Sequence, residues 1–582
     1  SSTVTDLREH VAVRIAEILG ASTEAERAAI QLTPPKNRAH GDVALGTFQL
    51  AKMRGVAPPA LAEEIRAGLA DGDAVIESVQ TAGPFVNIRF RRAALAEQMV
   101  AGVLRDEAPF GPAPSNGKTI VIDFSSPNIA KPFHMGHLRS TVIGAALCRI
   151  HRHVGDTVHG VNHLGDWGMP FAKMMTAWMR FGDEAELAKA PMRHMFDLYV
   201  RYGQEVKQHP ELDAEAAAHF KALESGEDNE ERRMWQFLRD ESLKAFQGPY
   251  DRLRVTFDHM TGESFYEDKM EPAMERVSAA GVLEVDDGAE VVKLEELGIK
   301  VPCILRKTDG TTLYHTRDLA AAFYRDQTFH PDRILYVVGA EQRLHFEQLK
   351  GVLKRMGEGL ADKVEHVPFG LILARNEESG KWEKFASRGG NAIFLDEVLD
   401  ESVGQVRRII AEKNPDLPDA DAVAEQVGVG AIVFNDLKNS RIKDVKFDWE
   451  QMLNFEGETG PYVQYAVARL ASILGKSDVD LDATTTLLEG VDWEHLADAD
   501  EVLLTMAEFG PAVQRAAEQS EPSVITSLMI QLAGSIHAYL KEHHVLRADP
   551  EVRKARIALV AAARRLLQTG LGLIGVAAPD SM

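Results

Sequence analysis

Apolar residues recur at helical spacing near the start of the chain, at Leu7, Val11, Ile15 and Ile18, and predict a helix over residues 5–19. A second helix is predicted over 58–69, and strands over 75–79 and 85–90. The Pro/Gly-rich run Ala108-Pro-Phe-Gly-Pro-Ala-Pro-Ser-Asn-Gly117 ends both periodicities and reads as a linker. Beyond it a β-rich run at 119–124 gives way to a helix over 138–150, and further strands are expected at 156–162, 333–339 and 366–374. Between them, residues 180–300 read as charged helical sequence without repeated strand signals, an insertion between two halves of a parallel sheet. From 425 onwards long amphipathic helical patterns prevail, as at 525–541 and 551–567, with a loop-bearing connection at 478–500.

The expected architecture is α/β: a Rossmann-type parallel-sheet catalytic domain carrying an insertion, an N-terminal α+β module and a C-terminal all-α helical bundle. The boundaries expected are 1–110, 118–400 with the insertion at about 180–300, a connecting helical region at 401–455, and 456–582. A length of 582 residues, 45% of them hydrophobic, supports several cores. No apolar run approaches the roughly 20 residues that span a bilayer, and the start of the chain lacks a signal peptide's apolar centre. The two cysteines, Cys148 and Cys303, sit in apolar surroundings, which argues against a thiolate zinc site and for a reducing cytoplasm. A net charge of −23 argues against non-specific binding of nucleic acid, yet screening lets a local basic stripe act alone. Candidate stripes are Lys438 to Lys443 with Lys446, Arg407-Arg408, and Arg553 to Arg556 with Arg564-Arg565.

The chemistry concentrates at Asp123-Phe-Ser-Ser-Pro-Asn-Ile-Ala-Lys-Pro-Phe-His-Met-Gly-His-Leu-Arg139, where a strand turns into a helix. Backbone N–H groups at such a helix start favour anions, and Gly136 lets a base or phosphate approach the main chain. The string resembles the His-x-Gly-His signature of class I aminoacyl-tRNA synthetases and, over its full length, the arginyl-tRNA synthetases. No GxGxxG follows a predicted strand, and Gly475-Lys476-Ser477 lacks the first glycine of a P-loop.

The resemblance implies an enzyme that joins arginine to ATP as arginyl-adenylate and passes it to the 3′ end of tRNA-Arg, with adenylate formation requiring bound tRNA. It implies ATP contacts from His134, Gly136 and His137, and from a signature loop matched by Lys384-Phe-Ala-Ser-Arg388. That loop departs from the family pattern, because Ser387 stands where a second lysine is usual. By resemblance Lys131 supplies the missing charge, so that Lys131, His134, His137 and Arg388 form the catalytic set. A guanidinium offers five donors in a planar fork, and acids are its complement. The resemblance assigns that role to Asp123 and Asp318, with Tyr314 shaping the pocket and Ser126, Asn128 and Gln342 contacting the α-ammonium and carboxylate. A helix N-cap is the structural alternative for Asp318. Mg²⁺ is expected only in company with ATP.

For tRNA, the resemblance points to Phe85 and Asn87 in the first module, and to Tyr462 and Tyr465 at the start of the anticodon-binding helices. The two tyrosines lie three residues apart on one helix face, suited either to stacking on bases or to core packing. A monomer without membrane association is expected. Rivals are another class I synthetase, a weakened RNA-binding paralogue motivated by the degenerate loop, and a small-molecule nucleotidyltransferase, for which the helical C-terminal third would be surplus.

Overall fold

The computed structural model describes residues 4–582 except Ala130, Pro132, Ala386, Gly389, Gly390 and Leu481, and without the side chains of residues 4–6, 387, 388, 391 and 392. In the first module Leu7, Val11 and Ile15 bury one face of the helix Val4–Leu19. The helix Pro58–Leu69 opens on prolines, whose fixed φ suits a first turn, and buries Leu61, Ile65 and Leu69. The second helix lies on a four-stranded antiparallel sheet, in the order Leu32–Thr33, Val43–Gly46, Phe85–Phe90, Ile76–Ala82, and the first packs against the second. The first two of these strands were not expected; Leu32–Thr33 is too short to show alternation, and Val43–Gly46 presents no polar face.

The helix Arg92–Leu104 is buried at ten of its 13 positions, because it packs against the C-terminal helix Pro550–Leu573 and the turn Trp493–Leu496. Arg92 lies between the two regions, donating to Asp42 at 2.7 and 2.9 Å and pairing with Asp500.

The central sheet has four parallel strands, ordered Val364–Val367, Arg333–Val337, Thr119–Asp123, Thr157–Val161. Its order reverses direction beside the first strand of the fold, so a crevice opens at the carboxyl ends of Thr119–Asp123 and Arg333–Val337. Asp123 ends its strand in register with Tyr336 on one side and Val161 on the other. The helix Leu138–His153 rests on this sheet so closely that a Cβ at Gly144 would come within 2.2 Å of Phe124.

The insertion is helical from Glu184–Lys189 through Glu230–Arg252, but its end corrects the sequence expectation. Leu283–Asp286, Ala289–Val292 and Cys303–Arg306 form an antiparallel sheet. Its hairpin turns at Asp287-Gly288, with φ of 52° and 79°, the positive values an Asp-Gly turn supplies. Residues 366–374 are likewise not one strand: Val364–Val367 belongs to the parallel sheet, and Ile372–Arg375 to a second sheet with Trp382–Lys384 and Val445–Phe447. Pro368-Phe-Gly370 breaks the run.

The C-terminal part is a bundle that includes Ala420–Leu437, Gly460–Lys476, Ser523–Glu542 and Pro550–Leu573. Within Ser523–Glu542 an 18-residue window has a mean hydropathy of 1.3, enough by length and composition for a membrane span, but half of that window is buried in the bundle, and polar residues such as Gln531 and His537 interrupt the apolar run. Cys148 and Cys303 are free and buried, and burial pushes both thiols up to about 12.

Candidate active site

The two signature histidines cap their own turn. Gly136 N–H donates to Nδ1 of His134 at 2.9 Å, and His134 N–H donates to Nδ1 of His137 at 3.2 Å, around the turn Met135–His137. With Nδ1 accepting in both rings, a neutral imidazole carries its hydrogen on Nε2. Burial lowers the pKa of His134, with Lys131 and Lys384 adding to it; burial also takes His137 down to about 3, helped by His134 and Lys131. The pair therefore offers two neutral Nε2–H donors, with ring centres 4.3 Å apart. Gly136 is required by this cap: a Cβ there would stand 2.6 Å from the His134 ring.

The segment following the signature loop is laced to the same turn. Met135 N–H donates to Ile393 O at 3.0 Å, Leu395 N–H donates to Phe133 O at 3.3 Å, and His134 bridges Phe394. The loop itself folds back through Ser387–Arg388 paired with Asn391–Ala392. Lys384, exposed at the end of Trp382–Lys384, and exposed Lys131 both act on His134 electrostatically. The Arg388 side chain lies outside the described residues.

Asp123 is buried at the crevice. Ser126 Oγ donates to its Oδ1 at 3.0 Å, and Arg325 Nη1 reaches its Oδ2 at 2.9 Å. Ser125 and Ser126 hold φ of 70° and 49°, left-handed values that cost side-chain-bearing residues about 1–3 kcal/mol each and mark a chain bent for a purpose. Ser125 Oγ bonds Thr141 Oγ1 at 2.7 Å, which donates to His137 O at 2.7 Å, so the aspartate segment and the histidine turn are one hydrogen-bonded unit. Asn128 bridges Gly165 at the crevice wall.

Asp318 is not a helix cap. Its helix is Tyr314–Phe329, capped at Leu313, so Asp318 lies one turn in, on the face of Tyr314, which is 65% exposed. His345 Nε2 donates to Asp318 Oδ2. Burial raises the Asp318 carboxyl, but His345, His163 and Arg325 outweigh it and hold the group below the usual carboxylate range. Asp123 and Asp318 both act electrostatically on the buried His163 ring and on the Tyr336 hydroxyl, so these two groups feel both acids. Gln342 is exposed at the end of the turn Ala340–Gln342, beyond Arg333–Val337.

Sequence reasoning had left both acids without partners of their own, and the structure corrects this with Arg325 and His345. His163 and Glu263 were also missed. Burial pushes Glu263 up to about 7, opposed by Arg317 at 3.0 Å. Among these, only the position of His163 just after the strand Thr157–Val161 signals the crevice in the sequence.

At the candidate RNA surfaces, Phe85 is 43% exposed against the edge of Phe48, whereas Asn87 is 5% exposed between Ala44 and Gln80. Tyr465 is 46% exposed, and Tyr462 packs beside His537 with ring centres 5.8 Å apart. Most stripe arginines are occupied within the fold: Arg441 holds the carbonyls of Pro368 and Ser520, Arg565 that of Leu104, and Arg564 pairs with Asp580.

Three family models match in succession: "Arginyl tRNA synthetase N terminal domain" over residues 5–90, "tRNA synthetases class I (R), catalytic domain" over 99–449, and "DALR anticodon binding domain" over 463–582. An arginine–tRNA ligase of an Exiguobacterium species is 44% identical over 98% of both chains, and that of Latilactobacillus sakei 42% identical over 99% of this chain and 100% of its own. In fold, the arginyl-tRNA synthetases of Thermus thermophilus and Plasmodium falciparum superpose with TM-scores of 0.79 and 0.78, at 24% and 21% identity, covering 99% and 100% of both chains. With a catalytic-domain match over more than half its length and relatives this similar end to end, the chain belongs to the arginyl-tRNA synthetases, the ATP-dependent class I ligases that charge tRNA with arginine.

Proposed function

We propose that the crevice at the carboxyl ends of Thr119–Asp123 and Arg333–Val337 is the site of arginine activation, with each residue in a defined role. The observation that supports this is that Asp123 and Asp318 both act on His163 and Tyr336, while the segment after Asp123 is hydrogen-bonded through Thr141 to the histidine turn. The substrate guanidinium takes Asp123 and Asp318, with Tyr314 closing over it, while Ser126, Asn128 and Gln342 hold the α-ammonium and carboxylate. The carboxylate then attacks the α-phosphate of ATP. His134 and His137 donate from Nε2 to phosphoryl oxygens as charge builds there, Gly136 admits the nucleotide to the main chain, and Lys131, Lys384 and Arg388 neutralise the departing pyrophosphate. Mg²⁺ accompanies ATP: the side chains proposed for the phosphates are imidazoles and cations, so phosphate oxygens and water would ligate the ion.

The adenylate passes to the terminal adenosine of tRNA-Arg, whose 2′-hydroxyl is the acceptor expected for this class. Phe85 and Tyr465 are the accessible members of the two RNA surfaces, with Asn87 and Tyr462 behind them. The functional units are 1–110 for tRNA, 118–400 for catalysis, 401–455 as connection and 456–582 for the anticodon, acting as a monomer in the cytoplasm. Exchange of labelled pyrophosphate into ATP tests this: it is expected to require arginine and tRNA together, and exchange with arginine alone overturns the tRNA-dependent step.

A further inference from the structure

Two arginines rank among the largest fully buried side chains, Arg139 and Arg325, and they are treated differently. Arg139 Nη1 donates to the carbonyls of Gly370, Arg441 and Lys443 at 3.0–3.1 Å and Nε to Asp436, as expected of a guanidinium that ties elements together. Arg325 has 1% of its side chain exposed and a single ion pair, to Asp123. None of its three nitrogens makes a well-aligned hydrogen bond among the described residues, so Nη1 meets Asp123 as an ion pair, and the guanidinium lies 5.6 Å from the Tyr336 ring centre. The hydroxyl of Tyr266 and Nδ1 of His163 are likewise without a partner among the described residues. A buried cation placed this way is satisfied chiefly by the charge of Asp123.

Resting on the amino-acid pocket proposed above, we propose that Arg325 is a positioning residue for substrate: it fixes and neutralises Asp123 so that the two-acid pocket accepts one guanidinium. Oδ2 of Asp123 is turned to Arg325 and Oδ1 to Ser126 Oγ, which sets the plane of the carboxylate. Each oxygen keeps a further lone pair, which in the proposed pocket is the acceptor pair for a planar fork. Charge is matched as well. Two carboxylates against one internal guanidinium leave one net negative charge, which a single substrate guanidinium cancels; two free acids would leave a buried charge uncompensated in the complex.

The groups facing Asp123 are Arg325 and Asp318 from the helix Tyr314–Phe329, His163 from the segment after Thr157–Val161, Tyr336 from the neighbouring strand, and Ser126 from its own. His163 stays neutral, its pKa lowered by burial.

Kinetics of Arg325→Met and Arg325→Lys in the full-length enzyme with tRNA test this. Arg325→Met is expected to raise KM for arginine about tenfold or more, while kcat and KM for ATP move less than about threefold. Arg325→Lys, which keeps the charge, is expected to hold KM for arginine within about threefold. An unchanged arginine KM in Arg325→Met, or a loss shared by kcat and both KM values, overturns the proposal. Should Arg325→Met fail to fold, a folded Arg325→Lys with arginine KM raised tenfold overturns it equally, and one with wild-type KM supports it. Failure of the wild type to use arginine would instead remove the pocket itself.

Discussion

The backbone N–H of His134 donates to Nδ1 of His137 at 3.2 Å, which leaves the second imidazole only Nε2 to present to a ligand. The local cap thus decides the tautomer, and burial decides the charge.

Burial takes His137 down to about 3, whereas an unfolded histidine titrates near 6.5. Between those values the unfolded chain binds the extra proton, so this residue costs stability as pH falls, by about 1 to 2 kcal/mol between pH 7 and pH 5. His137→Asn keeps an acceptor for the His134 N–H and cannot take up a proton. Urea unfolding at the two pH values is expected to show a shallower loss in the variant, and equal losses would contradict a buried neutral imidazole.

Lys131 precedes Lys384 among the charges that lower His134, and it alone of the two also acts on His137. Lys131→Ala is therefore expected to reduce arginine-dependent pyrophosphate exchange about 10²–10³-fold, and Lys384→Ala about tenfold or less. The reverse order would place the main phosphate cation on the signature loop.

Asp318 accepts from His345 and, in the proposed pocket, from the substrate guanidinium, and an amide in its place loses the charge that serves both. Asp318→Asn is expected to lower kcat/KM for arginine by about 10²-fold or more, mostly through KM. Wild-type arginine kinetics in a folded variant would exclude Asp318 from the pocket.

Tyr465 is exposed and Tyr462 is packed against the bundle. Tyr465→Ala should raise KM for tRNA about 5- to 100-fold, as for the loss of one stacked base, without shifting Tm. Tyr462→Ala should lower Tm first. Thermal melts alongside charging kinetics separate the two, and a Tyr465→Ala variant with unchanged tRNA KM rules out the stack.

How much of this was legible depends on where the information sits. The histidine turn is readable because His134, Gly136 and His137 are neighbours in sequence and their geometry is a local cap. Asp123 and Asp318 were found by resemblance, but their partners were not: Arg325 sits in Ala320-Ala-Ala-Phe-Tyr-Arg325, which reads as an ordinary amphipathic helix, and only the packing of that helix over the strand end turns the guanidinium inward. The hairpin at Asp287-Gly288 carried the right turn signal and was obscured by its charged surroundings. Asn87, matched to a contact segment by resemblance, is 5% exposed within its own sheet, a depth that residue type alone does not reveal.

In the proposed pocket, arginine specificity comes down to two acids meeting a planar fork, and charging of tRNA with competing amino acids reads this out. Arginine should be charged, with lysine and uncharged citrulline disfavoured by about 10⁴-fold or more in kcat/KM. Charging of either within about tenfold of arginine would contradict a pocket built on Asp123 and Asp318.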